Sequence, residues 1–161
     1  MENTEADTLS RLNDTSSEWM LNINIFNNIM KHFEFEPEID LFASRLNKQV
    51  DKFVSYKPDP EAVHVNAFTL DWSKLKFYSF LPFSCIGRVI RKIINDNAEG
   101  ILVTPNWITQ YWYPLIFNIN TKQPFIIPPS QIQLSLPNLP ELKHPPSRKL
   151  GLMAWKVSGQ T

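Results

Sequence analysis

The residues with the most chemical content sit in four short groups. The first is Asp40-Leu41-Phe42-Ala43-Ser44, with Asn47 shortly after it. Asp40 stands in an apolar run, and a carboxylate there can accept hydrogen bonds from cofactor hydroxyls or an amine. No glycine-rich turn accompanies it, and the plainer alternative is an acid that caps its own loop. The second is Phe80-Leu81-Pro82-Phe83-Ser84, whose proline and rings can present a stacking face to an unstacked base. The same residues also suit a hydrophobic turn with a helix cap. The third is Asp71-Trp72, after Asn66-Ala67-Phe68, which can lie along a cofactor ring or pack a loop on the core. The fourth runs from Thr104-Pro105-Asn106-Trp107 to Trp112-Tyr113-Pro114. Its aromatics suit either a groove for bases or the buried face of a helix.

Other chemistries lack their residues. His32, His64 and His144 are scattered, and the lone Cys85 can build neither a zinc cluster nor an internal disulfide. No Gly-x-Ser-x-Gly elbow or phosphate-binding glycine loop occurs. Sixteen basic residues balance sixteen acidic ones, so no overall pull toward nucleic acid or anionic membrane follows. A local basic face is still available at Arg88, Arg91 and Lys92. No apolar run approaches the roughly 18 residues of a membrane helix, and the first residues do not read as a targeting peptide. The cysteine usage fits a reducing, intracellular compartment, with nucleus and cytoplasm not distinguished.

These groups need elements to hold them. The 161 residues suffice for one domain with a core, and 43% of them are hydrophobic. Residues 1–17 read as an arm. Apolar residues from Met20 to Phe33 recur at steps of three and four, which predicts a helix from about Glu18 to His32. Ile39–Ala43, Lys52–Tyr56 and Phe77–Phe80 read as strands, with a weak one between Ala62 and Phe68. Ile86, Val89, Ile90, Ile93 and Ile94 share a helical face with Ser84 as the expected N-cap, and Arg88, Arg91 and Lys92 lie opposite. Ile101–Val103 reads as a strand and Trp107–Phe117 as an aromatic helix, distorted at Pro114. This alternation predicts an α/β fold: a small Rossmann-like, mostly parallel sheet with flanking helices. Ligands in such sheets bind beyond the carboxyl ends of the strands, where the four groups cluster. The prolines between Pro124 and Pro146 predict an extended linker or tail over residues 119–161. Within it, Leu150–Val157 is either a last strand or the start of something further. The expected division is thus an arm (1–17), an α/β domain (18–118) and a proline-rich tail (119–161).

Taken in order, the motifs resemble a known family. Ile39-Asp40-Leu41-Phe42-Ala43-Ser44-Arg45 with Asn47, Asn66-Ala67-Phe68, Asp71-Trp72, Phe80-Leu81-Pro82-Phe83-Ser84, Ile86-Gly87-Arg88-Val89, Pro105-Asn106-Trp107 and Gln110–Leu115 are similar to a phage-Dam-like DNA adenine-N6-methyltransferase domain. The version resembled is the one in DIRS-type retrotransposon polyproteins. Glu5–Arg11 resembles the end of a retroelement ribonuclease H, in which Asp7 would be the last metal-binding carboxylate. The other acids of that site are absent, so the remnant cannot run two-metal chemistry. His144–Gly159 resembles the stretch leading toward a tyrosine recombinase.

The resemblance implies S-adenosylmethionine as cofactor, held beside Asp40, Phe42, Ala43 and Asp71. It implies a catalytic tetrad at a strand end, here Phe80, Leu81, Pro82 and Phe83. Phe83 keeps a stacking surface and Pro82 part of the loop. Phe80 cannot accept a hydrogen bond from the target amine, so the implied tetrad is degenerate. The expectation is a retrotransposon-derived polyprotein fragment with impaired or absent methylation. It would associate with DNA or RNA through Arg88, Arg91, Lys92 and Trp107, and with other segments of the same polyprotein. No membrane partner and no bound metal are expected. Two alternatives stand beside it: an active adenine methyltransferase, and a non-enzymatic relic of a reverse transcriptase/ribonuclease H polyprotein.

Overall fold

A computed structural model describes residues 20–80, 83–128, 134–136, 139–143 and 151–159. The expected arm, 1–17, lies outside them. The elements run β1 (Met20–Leu21), α1 (Ile23–Phe33), β2 (Ile39–Ala43), β3 (Phe53–Ser55), β4 (His64–Val65), β5 (Lys76–Phe80), α2 (Ile86–Asp96), β6 (Glu99–Pro105), α3 (Tyr113–Ile119), β7 (Phe125–Ile127), β8 (Leu134–Leu136), β9 (Leu139–Lys143) and β10 (Leu152–Ser158).

Seven strands form one sheet in the order β4-β3-β2-β5-β6-β10-β7. Strands β4, β3, β2, β5 and β6 are mutually parallel, and β10 is antiparallel to both its neighbours. The result is the expected Rossmann-like α/β sheet with helices on its faces. The doubly wound order 3-2-1-4-5-6 is kept, with one addition. The last strand, β10, is inserted between the fifth and sixth. Residues 119–161 are therefore not simply a tail. Leu152–Val157 is buried along its length and pairs with β6 from Leu152↔Pro105 to Ser158↔Glu99. A separate three-stranded sheet, β1-β8-β9, uses another part of the proline-rich stretch.

Alternating side chains divide the core in two, as the two-residue period of strands requires. Ile39, Leu41, Phe77, Leu102, Met153 and Trp155 meet α2 and α3 on one face. Tyr78, Ile101, Val103, Leu152 and Ala154 meet α1 on the other. Each fully buried Ile, Leu or Phe contributes about 1.5–3 kcal/mol, so these two layers set the fold.

Three local expectations shift. Helix α1 starts at Ile23, because the Asn22 side chain accepts from the Asn24 N–H at 2.8 Å and Met20–Leu21 pair with Leu134–Ser135. Ser84 does not cap α2; a 3-10 turn, Phe83–Cys85, leads in, and Cys85 stands at the N-cap without a side-chain bond. Helix α3 starts at Tyr113, since Pro114 lies in its first positions and has no N–H to give to a longer helix.

Candidate functional site

The chain departs from β2 in opposite directions: β3 and β4 lie on one side, β5 and β6 on the other. Such a reversal opens a crevice at the carboxyl ends of the two central strands. A small cleft of about 10 Å³, room for about one water molecule, lies there, lined by Leu21, Asp40, Phe42, Ala43, Asn47, Gln49, Tyr78 and Phe80. Four expected site residues, Asp40, Phe42, Ala43 and Phe80, thus meet at one place.

The turn after β2 is built by its own side chains. Asn47 Oδ1 accepts from the Ser44 N–H at 2.7 Å and the Ser44 hydroxyl at 3.1 Å. Ser44 Oγ accepts in return from the Leu46 and Asn47 N–H groups. Phe42 sits at φ 60, in the left-handed region, beside a register shift between Asp40 and Ala43. A bulky residue there is strained, and such strain persists only where the surroundings enforce it. Its ring lies against Phe68 and Trp72 on the α2 side.

Behind the turn lies a polar group of unusual character. Asp40 is 3% exposed, and none of the cleft's lining residues carries a positive charge. Its Oδ2 accepts from the Gln49 backbone N–H at 2.8 Å. Burial outweighs that bond and pushes the carboxyl up to about 8. Tyr78 stands beside it in register on β5. Burial first, and Asp40 second, hold its phenol protonated well above the ordinary range. The Tyr78 hydroxyl and Gln49 Oε1 are buried without a protein partner. Gln49 Nε2 donates to the Leu21 carbonyl at 2.6 Å, which fixes the amide with its oxygen turned away. At neutral pH the cleft therefore offers a protonated carboxyl, a phenol and an amide oxygen. That set can hydrogen-bond a polar ligand; it contains no nucleophile–base pair.

The remaining expected residues are elsewhere. Asp71 is exposed, and the Ser73 backbone N–H, then the Ser73 side chain, hold its carboxyl below the ordinary range. The backbone N–H of its neighbour Trp72 donates to the carboxylate of Asp96, the last residue of α2, at 3.0 Å. Asp71 thus lies at the amino edge of the sheet, away from Asp40. Pro82 lies outside the described residues, as does the side chain of Phe83. On α2, the Arg88 guanidinium lies 3.9 Å from the Phe68 ring centre, and Arg91 is exposed. Lys92 is held by Asp96 at 2.8 Å and lies over Trp72, so the fold already engages it. Trp107 is half-buried and packs against both core layers.

Sequence reasoning missed Gln49, Tyr78 and Leu21 as lining residues. Tyr78 was legible only as a strand residue, because its facing Asp40 depends on the β2–β5 register. Nothing local to Gln49 or Leu21 signals the cleft. Among the described residues no helix is long and apolar enough to cross a membrane, and no cluster of His, Cys, Asp or Glu is arranged for a metal. No protein-family model matches the sequence, and no curated protein matches it.

Proposed function

We propose that the chain is a methyltransferase-like domain of a retrotransposon polyprotein, with a cofactor-facing cleft but impaired methyl transfer, acting as a nucleic-acid-associated module. One observation carries the reading. Asp40, Ala43 and Phe80 surround one cleft at the carboxyl ends of adjacent central strands. There the resemblance puts the cofactor and the start of the tetrad.

The residues fit the polar end of S-adenosylmethionine. Unpartnered oxygens on Gln49 and Tyr78, with Asp40 beside them, suit a ligand rich in hydrogen-bond donors. That cofactor would supply an activated methyl group. At about 10 Å³ the closed cleft is far smaller than the roughly 300–1,000 Å³ of sites that enclose drug-sized ligands. As it stands it has room for a water-sized group and must widen to take the cofactor.

Impairment follows from Phe80. The last residue of β5 offers a ring where a target amine needs an acceptor. Phe80 packs on the α1 core layer and supplies shape only. Arg88 and Arg91 keep an outward cationic face on α2 for phosphate contacts. The test is incubation with methyl-labelled S-adenosylmethionine and adenine-containing DNA. The expected result is no transfer above a Phe83→Ala control; transfer above it makes the domain an active enzyme.

A further inference from the structure

The cleft has a cover that belongs to neither central strand. Leu21, in β1, is 1% exposed and forms part of its wall. The Leu21 carbonyl is pinned by the Gln49 amide, and among the described residues β1 pairs only with β8, in the small second sheet. We propose that β1 is a strap across the cleft, latched by Gln49, and that it must lift to admit a ligand the size of a nucleoside cofactor. The proposal rests on reading the cleft as a ligand site.

Three features support a strap over a fixed wall. First, β1 is two residues long and shares no strand pairing with the seven-stranded sheet, so lifting it leaves that sheet intact. Second, the latch is only half satisfied. Donation to Leu21 leaves Gln49 Oε1 buried without a partner, and the Tyr78 hydroxyl of the same cleft is likewise unpartnered. The closed state carries the desolvation of both groups, and a donor-bearing ligand relieves it. Burial of Leu21, its hydrogen bond to Gln49 and the β1–β8 pairing oppose opening, so the strap rests closed until a ligand offsets them. Third, the closed cleft is too small for a whole nucleoside cofactor, and the strap is a part of its lining that can withdraw without breaking β2 or β5.

The test uses hydrogen exchange and a carboxyl titration on the full chain, followed by ligand binding. Gln49→Leu removes the donor and keeps the bulk. It is expected to speed exchange at residues 20–21 and 134–135 by about tenfold or more, with residues 39–41 and 77–79 unchanged. It should also hydrate the cleft, so that Asp40 titrates at least about one pH unit lower than in the native chain. Unchanged exchange in β1, or an equal rise in β2 and β5, overturns the strap. So does an unmoved Asp40 titration. In the second arm S-adenosylmethionine is added to the native chain and to Leu21→Ala, which loosens the strap without touching the polar groups. Several-fold faster association with Leu21→Ala supports gating; equal rates overturn it. If β1 exchange responds to Gln49→Leu but neither protein binds this probe, the strap stands and the cofactor reading falls.

Discussion

Asp40 and Tyr78 stand side by side in register on the two central parallel strands, both buried on the α1 face of the sheet. The Tyr78 ring meets Phe26 of α1 edge-on, with centroids 4.8 Å apart. An acid and a phenol in this setting are held neutral, because the ionised form of either would lack water and a counter-charge. Their position beside the cleft makes them its polar floor.

Folding therefore takes up a proton at Asp40. The free carboxyl titrates near 3.8 and the folded one at about 8, so between these pH values the folded state binds more protons than the unfolded. Stability should fall as pH rises through that window, by up to about 1.4 kcal/mol per unit. Asp40→Asn keeps an acceptor for the Gln49 N–H and removes the titration. Urea unfolding at pH 5 and pH 8 should show the variant less pH-sensitive, and the more stable protein at pH 8. An unchanged pH dependence would contradict the buried, neutral assignment.

Two glycines should respond in opposite ways to alanine. A Cβ on Gly87, in α2, would press on the hydroxyl of Tyr111, whose side chain is exposed and can swing away. Gly87→Ala should be neutral or stabilising, by up to about 1 kcal/mol, from helix propensity. A Cβ on Gly100, in β6, would lie 2.5 Å from the Phe77 carbonyl oxygen and 2.6 Å from its ring. Neither can move without disturbing β5, so Gly100→Ala should destabilise by about 1–3 kcal/mol. Thermal melts of the two variants decide the ordering.

Strand β10 is tied to β6 by a buried side-chain bond, Trp155 Nε1 to Thr104 Oγ1 at 2.9 Å. Thr104→Val keeps the volume and orphans the indole N–H. The expected loss is about 1–3 kcal/mol, read by chemical unfolding followed through tryptophan fluorescence. A loss near zero would mean that β10 is not seated against β6 as described.

On α2, position decides which cations remain available. Arg91 is exposed, whereas Lys92 is engaged with Asp96 and Trp72. If this face meets nucleic acid, Arg91→Ala should weaken binding to single-stranded DNA and reduce the salt dependence by roughly one phosphate contact. Lys92→Ala should lower stability and leave the salt slope unchanged. Fluorescence anisotropy titrations at several salt concentrations distinguish the two.

The legible parts of the fold were those whose signal is local. Ile39–Ala43 and Ile101–Val103 are apolar runs bounded by turn residues, as strands buried on both faces require. The isoleucines of α2 declare its inner face by spacing alone. The proline-rich stretch misled because prolines border its strands more than they forbid them. Pro124 and Pro128 flank β7, and Pro140 falls in β9 at the edge of its small sheet, where a missing N–H is tolerated. The place of β10 between β6 and β7 depends on pairing with strands far earlier in the chain. For the site, Asp40, Phe42, Ala43 and Phe80 were legible as residues of one cleft because strand ends gather at a switch point. Gln49 and Leu21 were not, because their roles arise from a hydrogen bond between segments remote in sequence.

The most direct test is an S-adenosylmethionine titration followed at the backbone amides of Ser44 and Gln49 by heteronuclear NMR. Both amides bond to side chains that line the cleft. The account predicts saturable shifts at Ser44, Gln49 and Ala43, with Asp71 and Ser73 unmoved at the far edge of the sheet. No shift at the cleft amides up to millimolar ligand, or shifts centred on Asp71 instead, would contradict it.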